Sequence, residues 1–374
     1  MTTRLKALKP STHYIFWSVI TALFICTVLL LKSVLLPFVV GIAVAYVLNP
    51  AVNKLGKIGI KRGPASLLIL SGFLVLILAL IAIISPVLAK ELGAFIKDIP
   101  NYIEELKKLV LPLQELLEKY TGSELEQVDF QGLLMDNSKT AASLAGALAD
   151  KLAAGGQTLV DILSLMLFMP IVAYFMMKEW PSITRWVHDL IPRHAQKDVM
   201  GLLKQINEKL AGFIRGQVSV ALFLGLSYAI ALTLAGLKYG LMIGIMSGLL
   251  SIIPMVGSAV GLIVSVGVAW FQAGEWTFVA MIAAIFIGGQ LIEGNFLTPK
   301  LVGDSVGLHP LWVFFALLAG GSLLGILGMF LAVPVAAVIG VLLSFALRKY
   351  KQSAYYQGTS KKSESSQKKN KTKK

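Results

Sequence analysis

Of 374 residues, 56% are apolar and only 14% are charged, with a mean hydropathy of +0.77; soluble domains carry about a quarter charged residues, so an ordinary soluble enzyme is excluded. The net charge of +14 does not point to nucleic acid, because residues 348–374 hold ten Lys/Arg against the single Glu364, which makes most of the basicity a tail. One cysteine, Cys26, lies inside an apolar segment, which excludes a disulfide framework or a cysteine-rich metal site.

In chain order, Arg4, Lys6 and Lys9 precede an apolar run over 14–31, long enough to span a bilayer and without the cleavage site of a signal peptide, so it reads as an uncleaved first span. After Lys32 the chain returns over 34–48, a short segment with Pro37 and Gly41 in its middle, and a basic loop (Lys54, Lys57, Lys61, Arg62) leads to a third span over about 65–88. These form a first block, 1–89. Residues 90–151 change character, with seven lysines against eleven acids and no spanning apolar run, and are expected to form a water-facing helical insert, 90–155. Within it Ile99, Ile103, Leu106, Val110, Leu113, Leu117 and Tyr120 follow alternating spacings of four and three, an apolar seam that needs a surface to bury it. Pro100 suits a first helical turn and Pro112 is expected to kink the pattern.

A transmembrane core, 156–347, follows. It has a span over about 157–177, a basic linker at 178–215, and a span over about 213–237. From 240 to 270 small residues recur at every fourth position on both sides of Pro254, as Gly240, Gly244 and Gly248 before it and Gly257, Gly261 and Ser265 after it. Such stripes allow close helix contact in lipid, and a break at Pro254 and Gly257 resembles the discontinuous helices that place transport sites in membranes. A further apolar run, 276–289, ends at the densest polar stretch of the core, Gln290 to Pro310, where Glu293, Asn295, Thr298, Lys300, Asp304 and His309 sit among Gly294, Gly303, Gly307, Pro299 and Pro310. A carboxylate beside hydrocarbon is costly unless it faces protein or water, which makes Glu293 the leading candidate for a coupling group. The last apolar region, 311–347, is too long for one straight crossing and is expected to tilt, break or fold back at Gly320, Gly321, Gly325, Gly328 or Pro334. The basic tail, 348–374, is rich in Ser, Lys and Gln and is expected to be disordered.

The run E-G-N-F-L-T-P-K-L-V-G-D-S-V-G-L-H-P-L, from Glu293 to Leu311, resembles the signature of the autoinducer-2 exporter family, also described as PerM-type permeases. Ile252-Ile253-Pro254-Met255-Val256-Gly257 and Gly328-Met329-Phe330-Leu331-Ala332-Val333-Pro334-Val335-Ala336-Ala337 resemble two further segments of that family. The resemblance is specific over about 215–334. It implies a polytopic membrane transporter, linked either to export of a small signalling molecule or to cation/proton exchange.

The expected fold is therefore all-α, a polytopic helical membrane protein with about eight transmembrane segments in a bacterial inner membrane. Basic loops favour the cytoplasm, which puts both termini inside and the acidic insert outside. Parity gives eight crossings if 240–270 is one broken span, with the stretch after Glu293 on the outer side. If 240–270 folds back, the tail stays inside only when 311–347 is itself a hairpin. No phosphate-loop, H-E-x-x-H or G-x-S-x-G motif occurs, and the four histidines are scattered, so neither an ATP engine, a metal centre, a cofactor nor an enzyme is expected. Two function classes remain: a gradient-driven transporter of a small polar solute or ion using Glu293, Asn295, Lys300, Asp304 and His309, with a cation/proton antiporter as its variant, and a non-transporting scaffold. Either way the partners are the bilayer and, through the seam or the Gly240/Gly244/Gly248 groove, further copies of the chain in a homo-oligomer.

Overall fold

The computed structural model describes Val19, Leu23 and residues 32–121, 156–302 and 309–357. The apolar run at 14–31 (apart from Val19 and Leu23), most of the insert beyond Thr121, Asp304 and the end of the tail lie outside the described residues. Every regular element among those described is helical: α1 (Lys32–Lys57), α2 (Arg62–Thr121), α3 (Gly156–Leu190), α4 (Gln196–Leu234), α5 (Gly240–Leu250), α6 (Val256–Ala273), α7 (Trp276–Ile292), a π-helical turn (Glu293–Val302), α8 (Pro310–Gln352) and α9 (Ala354–Gln357). Seven of them are long and apolar enough to cross a membrane, and α5 is apolar but short. Apolar residues such as Leu68, Val75, Ile83, Leu163, Leu226 and Ile326 are exposed on these helices, as a chain surrounded by hydrocarbon requires.

Two compact units make up the chain. The first joins residues 1–66, 164–200 and 308–374. Its anchor is Arg62, whose guanidinium donates from Nε to the Met177 carbonyl (2.7 Å), from Nη1 to Asn53 Oδ1 (2.9 Å) and from Nη2 to Asn49 Oδ1 (2.6 Å), tying α1, the start of α2 and α3 together. Gly41 lets α3 approach closely, since a Cβ there would lie 2.8 Å from Val172. Tyr46 packs edge-on against Trp180, and Lys349 pairs with Asp198.

In the same unit α8 reverses direction. Gly325 adopts φ 61° and ψ −140°, a backbone conformation open in practice only to glycine. Gly320 then lies against the Gly328 backbone, and Gly321 against Met329. Residues eight apart in a continuous helix are separated by about 12 Å, so this contact requires two antiparallel arms, 310–324 and 326–352.

The second unit comprises residues 67–163 and 201–307. Here α5 and α6 form another hairpin, joined by the turn Ser251–Met255. Its open end is closed by Gln272, which accepts from the Lys238 amide and donates to the Gly236 carbonyl, both at 2.8 Å. Along its length Gly257 faces Ser247 and Ser251, and Gly261 faces Ser247 and Phe286. Of the two arrangements the sequence leaves open for 240–270 and 311–347, both regions therefore take the folded-back one. The small-residue periodicity serves the fold directly: Gly240, Gly244 and Gly248 seat α5 on Leu232, Ala229 and Gly225 of α4. That groove is filled by the chain itself and is not open to a second copy.

The structure differs from expectation at Pro100, because α2 continues unbroken from Arg62 through Pro86 and Pro100 to Thr121. Each proline removes a single backbone donor, a loss the flanking turns of a 60-residue helix absorb. The seam lies on this continuation, and from Ile103 on its side chains fall outside the described residues. Residues 91–102 of α2 are held by α5, its approach and the end of α6: Glu91 accepts from the Met242 amide (2.9 Å), Tyr239 donates to Asp98 (2.7 Å), Lys238 lies 3.9 Å from Asp98, and Tyr102 stacks on Phe271. α8 ends at Gln352, Ser353 is extended and the short α9 closes at Gln357, with 358–374 outside the described residues.

Candidate functional site

Buried polar side chains mark one place in the second unit. Six polar residues are buried among those described, and five of them (Gln217, Ser247, Ser251, Ser258 and Ser265) belong to α4 and the α5–α6 hairpin. The turn between the hairpin arms leaves backbone carbonyls without helical partners, and hydrocarbon offers none. Gln217 Nε2 of α4 supplies one by donating to the Ser251 carbonyl at 2.5 Å. Ser251 and Ser247 hydroxyls return to carbonyls one turn back, at 2.8 and 2.7 Å. Tyr239 and Met255, at φ 59° and 68°, are the two non-glycine residues with left-handed backbones among those described, and each directly precedes one arm of this hairpin. Such conformations cost on the order of 1 kcal/mol or more each and persist where surrounding contacts fix them.

Beside the tip, α7 ends and widens into the π-helical turn at Glu293–Val302. Pro299 has no amide hydrogen and its ring would collide with the Asn295 carbonyl in a regular α-helix, so a wider turn relieves both faults. Gln290 is the hinge of the arrangement: its Nε2 donates to Ser258 Oγ on α6 and to Glu293 Oε2 at 3.1 Å. Tyr228 of α4, 1% exposed, stacks on Phe286 with ring centroids 4.5 Å apart and sets its hydroxyl against Gly289, one helical turn before Glu293. That hydroxyl is buried without a hydrogen-bond partner, as is the Ser265 hydroxyl. A half-buried carboxylate, an amide, a serine and an unpartnered phenol thus meet where four helices converge.

The residues singled out from sequence are distributed unevenly. Glu293 stands in this cluster, whereas Asn295 spends its amide on the Leu291 carbonyl of its own turn (2.9 Å) and Lys300 is exposed. His309 is exposed and caps α8, its Nδ1 accepting from the Leu311 amide with Pro310 in the first turn. Asp304 lies outside the described residues. Pro254 and Gly257 sit at the hairpin tip, while Pro334 lies within the second arm of α8. Tyr228, Ser258 and Gln217 escape the sequence reading; for Gln217 and Gln290 the available signal is an amide inside an apolar run, which hydrocarbon tolerates only with a partner. Among the described residues no three His, Cys, Asp or Glu side chains converge on a possible metal position.

Crossing helices, a tip that ends within a polar cluster and a half-buried carboxylate define a multi-pass membrane protein of the transporter class. The chain belongs to the AI-2E family transporter group, whose family model matches residues 18–348. It is similar to two Bacillus subtilis (strain 168) proteins, "Putative transport protein YrrI", 28% identical over 86% of this chain and 88% of that one, and "Putative transport protein YueF", 25% identical over 89% and 92%. "Putative permease PerM" of Escherichia coli (strain K12) is 26% identical over 82% of this chain and 86% of its own length.

Proposed function

We propose that this membrane transporter is secondary, moving a small polar solute or signalling molecule down or against a gradient with Glu293 as the group that exchanges a proton or cation. The observation that carries the reading is the placement of a half-buried carboxylate at the tip of a folded-back hairpin, bonded through Gln290 to Ser258. Nothing bonds Glu293 permanently to a basic side chain among the described residues, which suits a charge that is gained and lost rather than one that cements the fold. The test is flux into liposomes under an imposed pH gradient. Glu293→Gln keeps size and removes titration, so it should abolish the dependence on the gradient while the protein stays folded; unchanged pH dependence would overturn the assignment, and absence of any specific flux would favour a scaffold.

The two hairpins also bear on topology. With both termini on the cytoplasmic face of a bacterial inner membrane, a hairpin at 240–273 and another in α8 each return the chain to the side it came from. The stretch from Glu293 to His309 then faces the cytoplasm, not the outside as eight simple crossings would have it. A cysteine at position 300 in a Cys26→Ser background should react with an impermeant reagent only in inverted vesicles. The same reading keeps a homo-oligomer, now through the Ile99–Tyr120 seam alone, and native mass spectrometry showing only monomer would sink it.

A further inference from the structure

Within the second unit, α2, α4 and α5 enclose a groove of about 850 Å³ that takes no part in the polar cluster. One wall runs along α2 from Leu80 to Val87, a second along α4 from Val218 to Leu234, and the floor is α5 with the turn after it, from Leu241 to Ile252. Eighteen residues line it and Thr233 alone is polar, its hydroxyl already donating to the Ala229 carbonyl at 2.6 Å. A polar solute would find no group to bond. The α4 wall covers 16 helical steps, about 24 Å, which exceeds the roughly 15 Å depth of one hydrocarbon leaflet. The groove is thus long, apolar and walled by helices of membrane-spanning length, which suits an extended acyl chain.

Charge at one end says what the chain belongs to. Lys90 and Lys97 follow Ile83 at steps of seven along α2, so they continue the groove's edge beyond the apolar segment, and both are exposed. The acids interleaved with them are engaged by the protein: Glu91 by the Met242 amide, Asp98 by Tyr239 and Lys238. The lysines have no ion pair among the described residues, leaving two free positive charges above an apolar slot. We infer that this groove is a binding site for one anionic phospholipid, its acyl chain lying between α2, α4 and α5 and its phosphate between Lys90 and Lys97.

The site matters to the hairpin because α5 forms its floor. Gly248 and Ile252, which line the groove, flank the Ser251 carbonyl held by Gln217, so the occupied groove braces the arm that carries the tip.

The experiment places the full chain in vesicles of phosphatidylcholine doped with a phosphatidylglycerol that carries a photoactivatable diazirine in its acyl chain. Peptides covering 80–87, 218–234 and 241–252 should be labelled ahead of other lipid-facing surfaces, and Val218→Trp, which fills the groove, should remove that labelling. Leu222→Trp on the exposed rim serves the same purpose if the first variant lowers the thermal midpoint. Lys90→Gln and Lys97→Gln should each weaken phosphatidylglycerol binding about fivefold, with phosphatidylcholine unaffected. Labelling spread evenly over exposed residues elsewhere, such as Leu323 and Ile326, or labelling that survives groove filling, means annular lipid only and overturns the site. Unchanged phosphatidylglycerol affinity in both lysine variants overturns the anionic headgroup and with it the proposal.

Discussion

The hairpin α5–α6 and the hairpin inside α8 reverse the chain by similar means and carry opposite contents. Both press glycine of one arm against the backbone of the other, Gly257 against Ser247 and Ser251 in the first and Gly320 against Gly328 in the second. The first tip is polar, with buried serines that need Gln217 and Gln290 from neighbouring helices. The second turns at Gly325 between Leu324 and Ile326, and its nearest hydroxyl, Ser322, is exposed and donates to the Ala319 carbonyl of its own helix. A folded-back helix pair is therefore a packing solution available to any glycine-rich apolar segment, and it becomes a candidate transport site only where other elements bring polar partners to its tip.

The largest effects should erase the similarity. Gly257→Leu and Gly328→Leu each force a side chain into the backbone of the facing arm, and each should cost about 3 kcal/mol or more. Thermal unfolding in detergent would show both midpoints falling together. Gly325→Ala tests the second turn alone, since a Cβ at that φ and ψ costs about 1–3 kcal/mol; stability should drop while the pH dependence of transport stays unchanged. Gln290→Leu tests the first tip, removing the donor shared by Ser258 and Glu293. Stability should fall by about 1–2 kcal/mol and transport about tenfold, whereas Ser322→Ala should leave both within error.

The smallest effect lies at the far end of the first hairpin. Tyr239→Phe removes the hydrogen bond to Asp98, worth about 1 kcal/mol. Burial, and then that bond, push the Tyr239 phenol above its ordinary value of 10.0. A group whose value is raised on folding contributes stability below its unfolded value and loses it as pH climbs through the folded one. The difference between wild type and Tyr239→Phe should accordingly hold from about pH 6 to about pH 9 and shrink only above pH 10.

Much of this was legible in the residues, and what was not has a physical cause. Hydropathy and the two small-residue stripes mark the membrane class and the close packing, and the density of polar groups after Ile292 marks Glu293. The stripes cannot distinguish a broken span from a hairpin, because the same glycines serve a neighbouring helix or the chain's own return. Tyr228 lies 65 positions from Glu293, an ordinary aromatic in an apolar helix until folding sets it beside Gly289. The continuous run of α2 through Pro100 was hidden for a converse reason: a proline favoured in a first turn and disfavoured inside a helix reads as a helix start, and only the surrounding packing lets α2 carry it in its interior.

The brevity of α5 has a consequence for how the protein is made. Eleven residues rise about 16 Å, half the hydrocarbon thickness, so this arm cannot be handed to the bilayer alone as an independent stop. It must leave the insertion machinery together with α6, and the Ser251 carbonyl at its tip would then enter hydrocarbon unpaired unless Gln217 is already in place. Assembly is thereby ordered, α4 first and the α5–α6 pair second, and the Gly225–Gly248 contact becomes the seam along which the late pair is zipped onto the early helix.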